Sequence, residues 1–461
     1  MEGEGEAFFT QTDSEVVLVA WLAWGIACLD RFIGMFALAI WQGNDFLLAR
    51  DRLGEKPLYY SMAKASFAFA SEVKAIRGLV GDLVPLCEEL EFYFDAHTPF
   101  RDVFSVKPGE WVRYCTDSGR LNRRTWWSPP EPRPSVGDEH AATREFLELF
   151  SDACSIRTQA AVPSTLFLSG GIDSALIQAI SNFAVTYTVQ FAEFESTINE
   201  RELVAELAGA RKFEARVISP TVNDLRRCFT ALARSMEVPV GSLSAFPLFM
   251  LAQRARADGF VVALSGEGAD ELFNGYYRHE VLLGEAVATE RPYASLHERY
   301  LGTGLERFCR MASREGLAGA ARLLPVMEAV WSTDRTLAQN ISRAELSIFL
   351  QPLLRMSDQA SMANSVEMRS PFLDHRIVEF AARLEDGLKF RDGRGKWLLR
   401  RALRELVGDL GVTRRLVKHG LPSPVNQWMF GGALFSRREW NAALRVETER
   451  GLGVLPARGV A

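Results

Sequence analysis

The sequence contains few of the residues that build metal centres and disulfide frameworks. Its 461 residues include six cysteines and six histidines. No two cysteines have Cys-x-x-Cys spacing, and no histidine pair forms His-Glu-x-x-His. A zinc site or a disulfide-linked fold is therefore not expected. The acidic N-terminus has no apolar signal core, and an apolar run such as residues 32–41 is too short to span a bilayer. We therefore expect a cytoplasmic protein with no membrane partner.

A surplus of positive charge is also absent. Lys and Arg number 53 against 58 Asp and Glu, which gives a net charge of -5. Proteins that bind nucleic acids generally carry a basic surplus, so no nucleic-acid partner is expected. The apolar fraction of 48% and the charged fraction of 24% are typical of globular proteins. The length is sufficient for two or three folding units.

The pattern along the chain changes after about residue 127. Residues 1–127 contain short apolar runs separated by tight turns, preceded by a helical stretch over Asp13–Trp24, which predicts an antiparallel sheet. Residues 128–136 contain four prolines and predict a linker. Residues 137–450 predict alternating helices and strands around a parallel sheet, with a mostly helical part from about residue 285. Residues 451–461 predict a loose tail. The expected fold class is α/β, or α+β overall.

The predicted elements of the second unit can be stated by range. Helices are predicted over 140–159, 200–208, 222–236 and 245–258. Strands are predicted over 165–168, 185–191, 213–218 and 260–264.

A strand-to-turn-to-helix motif follows the first of these strands. The apolar run that ends at Leu168 leads into Ser-Gly-Gly-Ile-Asp-Ser, residues 169–174, and then into a helix over 175–180. Ligands of open α/β sheets bind at such turns, and helix N-termini favour anions. The loop contains no Walker-type lysine, so we expect it to bind phosphate through backbone groups and hydroxyls, with Asp173 positioned to hold Mg²⁺. The alternative is a simple glycine turn with a helix cap.

A second turn of this kind follows the strand that ends at Leu264. It reads Ser-Gly-Glu-Gly-Ala-Asp-Glu over residues 265–271. Two such turns from one parallel sheet converge on one crevice, where Asp173 and Asp270 are predicted to share a cation. The alternative is that Glu267, Asp270 and Glu271 only cap a helix.

These two turns, with further motifs, resemble the glutamine-dependent asparagine synthetase family almost from end to end. The other matching segments are TDSEV (12–16), GMFA (34–37), ARDRLG (49–54), KPLYY (56–60), DQASM (358–362), EMRSPFLDH (367–375), GRGKW (393–397) and KHG (418–420). The resemblance implies a PP-loop synthetase domain behind an Ntn-type amidotransferase domain. It also implies ATP and Mg²⁺ as cofactors: ATP adenylates a carboxylate, and a nitrogen nucleophile then displaces AMP.

The resemblance also implies roles for individual residues. Glu267 matches the residue that handles the protons of the nitrogen nucleophile, and Lys396 matches a lysine that stabilises the adenylate. The pyrophosphate loop includes Ser169, Gly170, Gly171, Asp173 and Ser174. The other nucleotide-binding positions are Leu168, Val189, Ser265 and Gly266. Asp173 and Asp270 match Mg²⁺ ligands. The substrate side includes Glu237, Ser242, Asp358, Glu367 and Arg369. A fixed cation and a lysine suit a reaction that builds charge on phosphate, although Lys396 alone also fits a solvated lysine at a helix start.

The sequence departs from the family pattern at three places. Glu2 stands near the start, and no cysteine precedes Cys28, so the N-terminal cysteine that hydrolyses glutamine is not present. Because this hydrolysis needs a thiolate, we expect no glutaminase activity and interpret the first unit as a truncated half-domain. Ser242 stands where many members have Asp, and Gln359 where Arg is common. The acceptor carboxylate is therefore left open.

Three functional hypotheses follow. The favoured one is an ATP-dependent amide ligase that joins a small carboxylate to ammonia or another amine, with a separate glutaminase or a homodimer as its protein partner. The second is an intramolecular cyclase, such as the β-lactam synthetases and lasso-peptide cyclases that also lack the cysteine. The third is a non-catalytic partner subunit, which the retained carboxylates and Lys396 oppose. A tRNA-modifying PP-loop enzyme is disfavoured by the acidic charge balance.

Overall fold

The structure is a computed structural model. It describes residues 8–62, 66–76, 98, 100–191, 200–237, 242–288, 308–309, 324–415, 425 and 428. The predicted tail 451–461, the motif at 418–420 and residues 238–241 beside Glu237 lie outside the described residues. In the part of the chain that is described, no helix has the length and apolarity needed to cross a membrane.

The described part of the N-terminal unit contains two α-helices and two antiparallel sheets. The helices are α1 (Asp13–Trp24) and α2 (Cys28–Arg31). The strands are β1 (Ala37–Gln42), β2 (Asp45–Arg50), β3 (Tyr59–Ser61), β4 (Ala68–Ala70), β5 (Val103–Ser105), β6 (Glu110–Cys115) and β7 (Leu121–Thr125). One sheet has the order β1-β2-β6-β7 and the other the order β4-β3-β5. Thr12 caps α1 by accepting from the Glu15 N–H.

The two antiparallel sheets contact each other through apolar side chains. Leu48 of β2 and Val112 of β6 pack with Tyr60 of β3 in one buried cluster. The rings of Phe67 and Tyr114 stack at 4.3 Å between centroids. This face-to-face burial explains the dense apolar alternation of the first part of the sequence. The predicted antiparallel architecture and the helix over Asp13–Trp24 are confirmed.

The C-terminal unit contains a five-stranded sheet in which all strands are parallel. Its strands are β8 (Ser164–Phe167), β9 (Val185–Val189), β10 (Glu214–Ile218), β11 (Val262–Leu264) and β12 (Glu367–Arg369). The order is β10-β9-β8-β11-β12. The central strand β8 continues the chain directly into the first glycine turn. A short antiparallel hairpin, β13 (Phe390–Arg391) and β14 (Arg394–Gly395), lies outside this sheet.

Helices pack around the parallel sheet. They are α3 (Glu139–Thr158), α4 (Ile172–Ser181), α5 (Arg201–Arg211), α6 (Val222–Met236), α7 (Ala245–Ala257), α8 (Ala269–Leu272), α9 (Tyr277–Ala288), α10 (Leu337–Ala344), α11 (Leu350–Met362), α12 (His375–Arg383), α13 (Asp386–Lys389), α14 (Trp397–Val407) and α15 (Gly411–Arg414). A π-helical turn at Glu345–Phe349 joins α10 to α11. Two buried apolar clusters lie between the sheet and these helices.

The predicted strands and helices of the second unit are confirmed, with ends that shift by up to three residues. One strand was missed. β12 lies in the part expected to be mostly helical, and it has only three residues, Glu367 to Arg369. A run of three residues is too short for a strand periodicity to be recognised in the sequence. The segment is a strand because it pairs with β11.

Residues 128–136 pack against the C-terminal unit. The N–H groups of Arg133 and Ser135 donate to the carbonyls of Ala382 and Arg383 at 2.9 and 2.8 Å. The side chain of Arg335 binds Glu131 at 2.7 Å. The proline-rich segment is therefore held along one side of the second unit. The domain boundaries remain a prediction.

Candidate active site

The predicted nucleotide-binding residues lie at the carboxyl ends of neighbouring parallel strands. Leu168 and Ser169 follow β8, Ser265 follows β11, and Val189 ends β9. Leu168 donates its N–H to Tyr187 O at 2.8 Å, which extends the sheet by one residue beyond β8. The two glycine turns touch, because a Cβ added at Gly266 would lie 2.7 Å from Asp173 Cβ. The two turns therefore converge at one edge of the sheet, as the sequence predicts, and a ligand crevice there remains a prediction.

Hydroxyl groups hold the first turn in shape. The Ser169 N–H donates to Ser174 Oγ at 3.0 Å, and the two hydroxyl oxygens lie 3.1 Å apart. The Gly171 N–H donates to Ser169 Oγ at 3.2 Å. Helix α4 begins at Ile172 without a side-chain cap, since its N-cap residue is Gly171. A glycine-rich turn that leads into an uncapped helix N-terminus favours an anionic ligand.

Glu200 and Arg415 close the other side of this turn. The Gly170 N–H donates to Glu200 Oε2 at 2.7 Å, and Arg415 forms an ion pair with the same carboxylate. A Cβ at Gly170 would lie 2.7 Å from Glu200 Cβ, so this approach requires glycine. Neither Glu200 nor Arg415 belongs to the motifs that the sequence analysis singled out.

Lys396 connects the two turns. Its Nζ lies 2.5 Å from Asp173 Oδ2 and 2.8 Å from Asp270 Oδ1, and the residue is 4% exposed. The β13–β14 hairpin delivers Lys396 to this position with φ 58°, and its N–H donates to Phe273 O at 2.9 Å. A left-handed backbone is unfavourable for lysine and is typical of functional sites. Burial lowers the pKa of Lys396, and the carboxylate of Asp173 opposes that shift. The alternative of a solvated lysine is wrong.

The two carboxylates fit a magnesium ion that also binds phosphate. Asp173 Oδ1 is buried and has no hydrogen-bond partner among the described residues. No group of three or more Asp, Glu, His or Cys in the described part of the chain is arranged to hold a metal. Mg²⁺ commonly takes only one or two carboxylates and completes its shell with water and substrate phosphates. Asp173 and Asp270 therefore remain the predicted magnesium ligands.

Glu267 lies in the second turn with its carboxyl group bound to helix α11. Ser357 donates its hydroxyl to Glu267 Oε1. Burial raises the pKa of Glu267 to about 8, the hydrogen bond from Ser357 lowers it, and the charges of Glu271 and Asp358 raise it further. A carboxyl group that titrates near neutral pH is suited to proton transfer.

Comparisons with known proteins decide the family. An asparagine synthase model matches residues 145–455, and a glutamine amidotransferase domain model matches residues 1–127. This chain belongs to the asparagine synthase family. Among the curated members, it is 29% identical to "Asparagine synthetase [glutamine-hydrolyzing] 1" of Bacillus subtilis, covering 93% of this chain and 74% of that protein. It is 30% identical to "Putative asparagine synthetase [glutamine-hydrolyzing]" of Mycobacterium bovis, covering 95% and 73%. The family identification made from the motifs is confirmed.

More distant curated relatives have a different name. The family member "Amidase chry2" of Gibberella zeae is 24% identical, over 87% of this chain and 71% of that protein. All three relatives thus match this chain across both units.

Two predicted substrate-side residues of this family member make structural contacts. Glu237 ends α6 with φ 53°, is 1% exposed, and accepts the N–H groups of Val73 and Lys74 at 2.9 Å each. Burial raises the pKa of Glu237, and these backbone donors oppose that shift. Ser242 Oγ accepts the Ser244 N–H at 3.3 Å at the start of α7. Their substrate roles remain predictions.

The other three predicted substrate-side residues are ion-paired. Asp358 on α11 binds Lys56 of the N-terminal unit at 2.9 Å. Arg369 binds Glu367 at 2.7 Å and donates to the carbonyls of Arg157 and Gln159 at 3.1 and 2.9 Å. These contacts place the Arg369 guanidinium at the end of α3. Its role, like that of Glu367, also remains a prediction.

Two polar side chains on α11 were not assigned a role by the sequence. Gln359 is 4% exposed, and neither atom of its amide has a hydrogen-bond partner among the described residues. Arg355, one helical turn earlier, has two buried guanidinium nitrogens that also have no hydrogen-bond partner among the described residues. Buried polar groups are normally satisfied, so these side chains are exceptions within the described part of the chain. The departure from the family pattern at Gln359 was the only signal in the sequence.

Proposed function

We propose that this protein is an ATP-dependent ligase that adenylates a small carboxylate substrate, releases pyrophosphate and transfers the acyl group to ammonia or another amine. The observation that carries the proposal is the buried Lys396 ammonium held between Asp173 and Asp270, where two glycine turns of one parallel sheet meet. Family membership supports the same reaction class.

The residues of the site serve two steps, adenylation of the carboxylate and transfer of the acyl group to nitrogen. The turn at 169–174 binds phosphate groups through its backbone and hydroxyls. Lys396 stabilises negative charge that develops on phosphate oxygens, and because its position is fixed it does so with little reorganisation. Asp173 and Asp270 would hold Mg²⁺, which supplies charge neutralisation on the phosphates when bound.

Glu267 is assigned to the second step. Ammonium and amines are protonated at neutral pH, so a base must remove a proton before or during attack. With a pKa raised to about 8, the Glu267 carboxyl gains its basic form as the pH rises through that value. The rate of amide transfer is therefore expected to rise with pH through about 8.

The nitrogen source is proposed to be free ammonia or an amine, without glutamine hydrolysis by this chain. Cys28 is 0% exposed at the start of α2, and burial raises the pKa of its thiol. Both properties oppose a nucleophilic thiolate. We also place the protein in the cytoplasm, where free cysteines such as the five described here are usual.

A single incubation tests the reaction. Protein, ATP, Mg²⁺ and aspartate are mixed with ammonium in one arm and glutamine in another, and AMP, pyrophosphate and amide are followed by mass spectrometry. AMP and amide from ammonium alone are expected if aspartate is the acceptor. If aspartate gives no AMP, the same assay is run over a panel of carboxylates, and failure across that panel contradicts the proposal.

A variant separates the two steps. Glu267→Gln is expected to retain carboxylate-dependent exchange of pyrophosphate into ATP while amide formation falls by at least ~100-fold, the contribution of a general base. Equal loss of both activities would contradict the role of Glu267. A product lighter than the substrate by one water, formed without added amine, would support the cyclase instead.

A further inference from the structure

An ion pair joins the N-terminal unit to the helix that binds Glu267. The Nζ of Lys56 lies 2.9 Å from Oδ1 of Asp358 on α11. The two side chains are only 19% and 12% exposed. The opposing carboxylate keeps the pKa of Lys56 above its usual value despite burial. An enclosed ion pair of this kind fixes both side chains, and removing one partner leaves a charge without compensation.

Helix α11 contacts the N-terminal unit and Glu267 through neighbouring residues. Ser357, which donates to Glu267, immediately precedes Asp358 in the chain. Gln351, two helical turns earlier, donates its side-chain amide to Leu53 O of the N-terminal unit at 2.6 Å. The position of the Ser357 hydroxyl therefore depends on how α11 is seated against the N-terminal unit.

The charges around Glu267 are mostly negative. Glu271 on α8 and Asp358 on α11 both raise its pKa. Burial raises the pKa of Glu55, in the loop after β2; the charge of Arg157 on α3 lowers it, and the charge of Glu267 raises it. Lys56 faces Glu55, Asp358 and also Glu367 of β12. Lys56 is thus the cation of the N-terminal unit that forms an ion pair with Asp358, and the charge of Arg50 on β2 also interacts with Asp358.

We propose that Lys56 of the N-terminal unit is a positioning residue for the synthetase site and acts on the carboxyl group of Glu267 through Asp358 and Ser357. The ammonium neutralises Asp358 and seats α11, and α11 in turn holds the Ser357 hydroxyl on Glu267. The amidotransferase-like unit therefore contributes to the acid–base chemistry of the other unit, whether or not it hydrolyses glutamine.

A direct titration of Glu267 tests this proposal without any substrate. The carboxyl signal is isolated by difference infrared spectroscopy of each protein minus its Glu267→Gln counterpart, over a range of pH. Lys56→Met leaves Asp358 without its ion-pair partner. This change is expected to move the Glu267 midpoint upward by about one unit, the effect of one unscreened charge at about 10 Å in a medium of effective dielectric constant about 20. Lys56→Arg is expected to restore the midpoint, since it keeps the charge.

The activity test rests on the proposed function. With the carboxylate that the wild type uses, Lys56→Met is expected to lower amide formation at pH 7 by about tenfold, which corresponds to a one-unit shift, and to leave pyrophosphate exchange within about twofold because Glu267 serves only the second step. The double variant Lys56→Met/Asp358→Asn removes both charges and is expected to bring the midpoint back towards the wild-type value.

Gln351→Met is the matched control. It removes another contact between α11 and the N-terminal unit but changes no charge near Glu267, so its midpoint should move clearly less than that of Lys56→Met. If Lys56→Met leaves the midpoint unchanged, or if Gln351→Met moves it equally, the proposal is wrong. If the wild type forms no AMP from any carboxylate, the proposed function fails, and the infrared titration still decides the role of Lys56.

Discussion

The ammonium of Lys396 is predicted to contribute more to folding stability than that of any ordinary surface lysine. Its Nζ lies 2.5 and 2.8 Å from two largely buried carboxylates. At an effective dielectric constant of about 20, each contact is worth about 6 kcal/mol before desolvation. Desolvation of the ions offsets several kcal/mol per ion, and measured losses on breaking buried ion pairs are about 3–5 kcal/mol. Lys396→Met keeps the apolar stem, so we expect a loss in that range.

Urea unfolding in EDTA measures this loss of stability, and urea unfolding with added Mg²⁺ measures how far the ion restores it. In EDTA, Lys396→Met is expected to unfold at a clearly lower midpoint than the wild type. Without the ammonium, Asp173 and Asp270 repel each other, so added Mg²⁺ should stabilise the variant more than it stabilises the wild type. At about 100 times its dissociation constant, an ion restores about 2.7 kcal/mol.

Lys389→Met is the control for removing a buried lysine. Lys389 is 3% exposed, and no described carboxylate forms an ion pair with it. The control should therefore not lose stability. If Lys396→Met is as stable as the wild type in EDTA, or if Mg²⁺ stabilises both proteins equally, the arrangement of Lys396 between the two carboxylates is refuted.

Three further predictions follow from individual contacts. Gly275→Ala would place a Cβ against Lys396 and Asp270 Oδ1. We therefore expect a destabilisation of about 1–3 kcal/mol, measured by urea unfolding, and a loss of pyrophosphate exchange. Unchanged pyrophosphate exchange would contradict this packing. Ser357→Ala removes the hydrogen bond that lowers the pKa of Glu267, so amide formation at pH 7 should fall about tenfold and its pH profile should move to higher pH. Burial lowers the pKa of Lys389 to about 8. The pKa of Lys389 in the unfolded chain is higher, so between the two pKa values the unfolded chain binds more protons than the folded protein. The free energy of unfolding of the wild type should therefore increase by about 3 kcal/mol as the pH rises from about 8 to 10.5. Lys389→Met should lack this gain and be more stable than the wild type at pH 7.

The sequence predicted the parts of the site that depend on local patterns. A strand that ends in glycine and serine before a helix determines the turn at 169–174, and the same pattern around Gly266 determines the second turn. Because both strands are parallel and adjacent, their turns had to meet. The place of each turn directly after a strand, together with the parallel direction of the strands, was sufficient to predict that the turns converge.

Contacts between distant segments could not be predicted in the same way. Glu200 reaches Gly170 and Arg415, but nothing in its neighbourhood in the sequence distinguishes it from a surface glutamate at a helix start. Strand β12 is too short for its periodicity to be seen, and only its partner β11 makes it a strand. Lys56 belongs to a recognised motif, yet its partner Asp358 is about 300 residues away.

The N-terminal unit is attached to the C-terminal unit through elements that flank the candidate site. Besides the ion pair of Lys56, the buried carboxylate of Glu237 accepts two backbone N–H groups from residues 73 and 74. Glu237 adopts a left-handed conformation at the end of α6 to make this contact, and a strained non-glycine residue persists only where its surroundings hold it. Together these contacts join the N-terminal unit to α6 and α11 of the C-terminal unit. Loss of the N-terminal unit should therefore impair the proposed amide transfer even when ammonia is supplied.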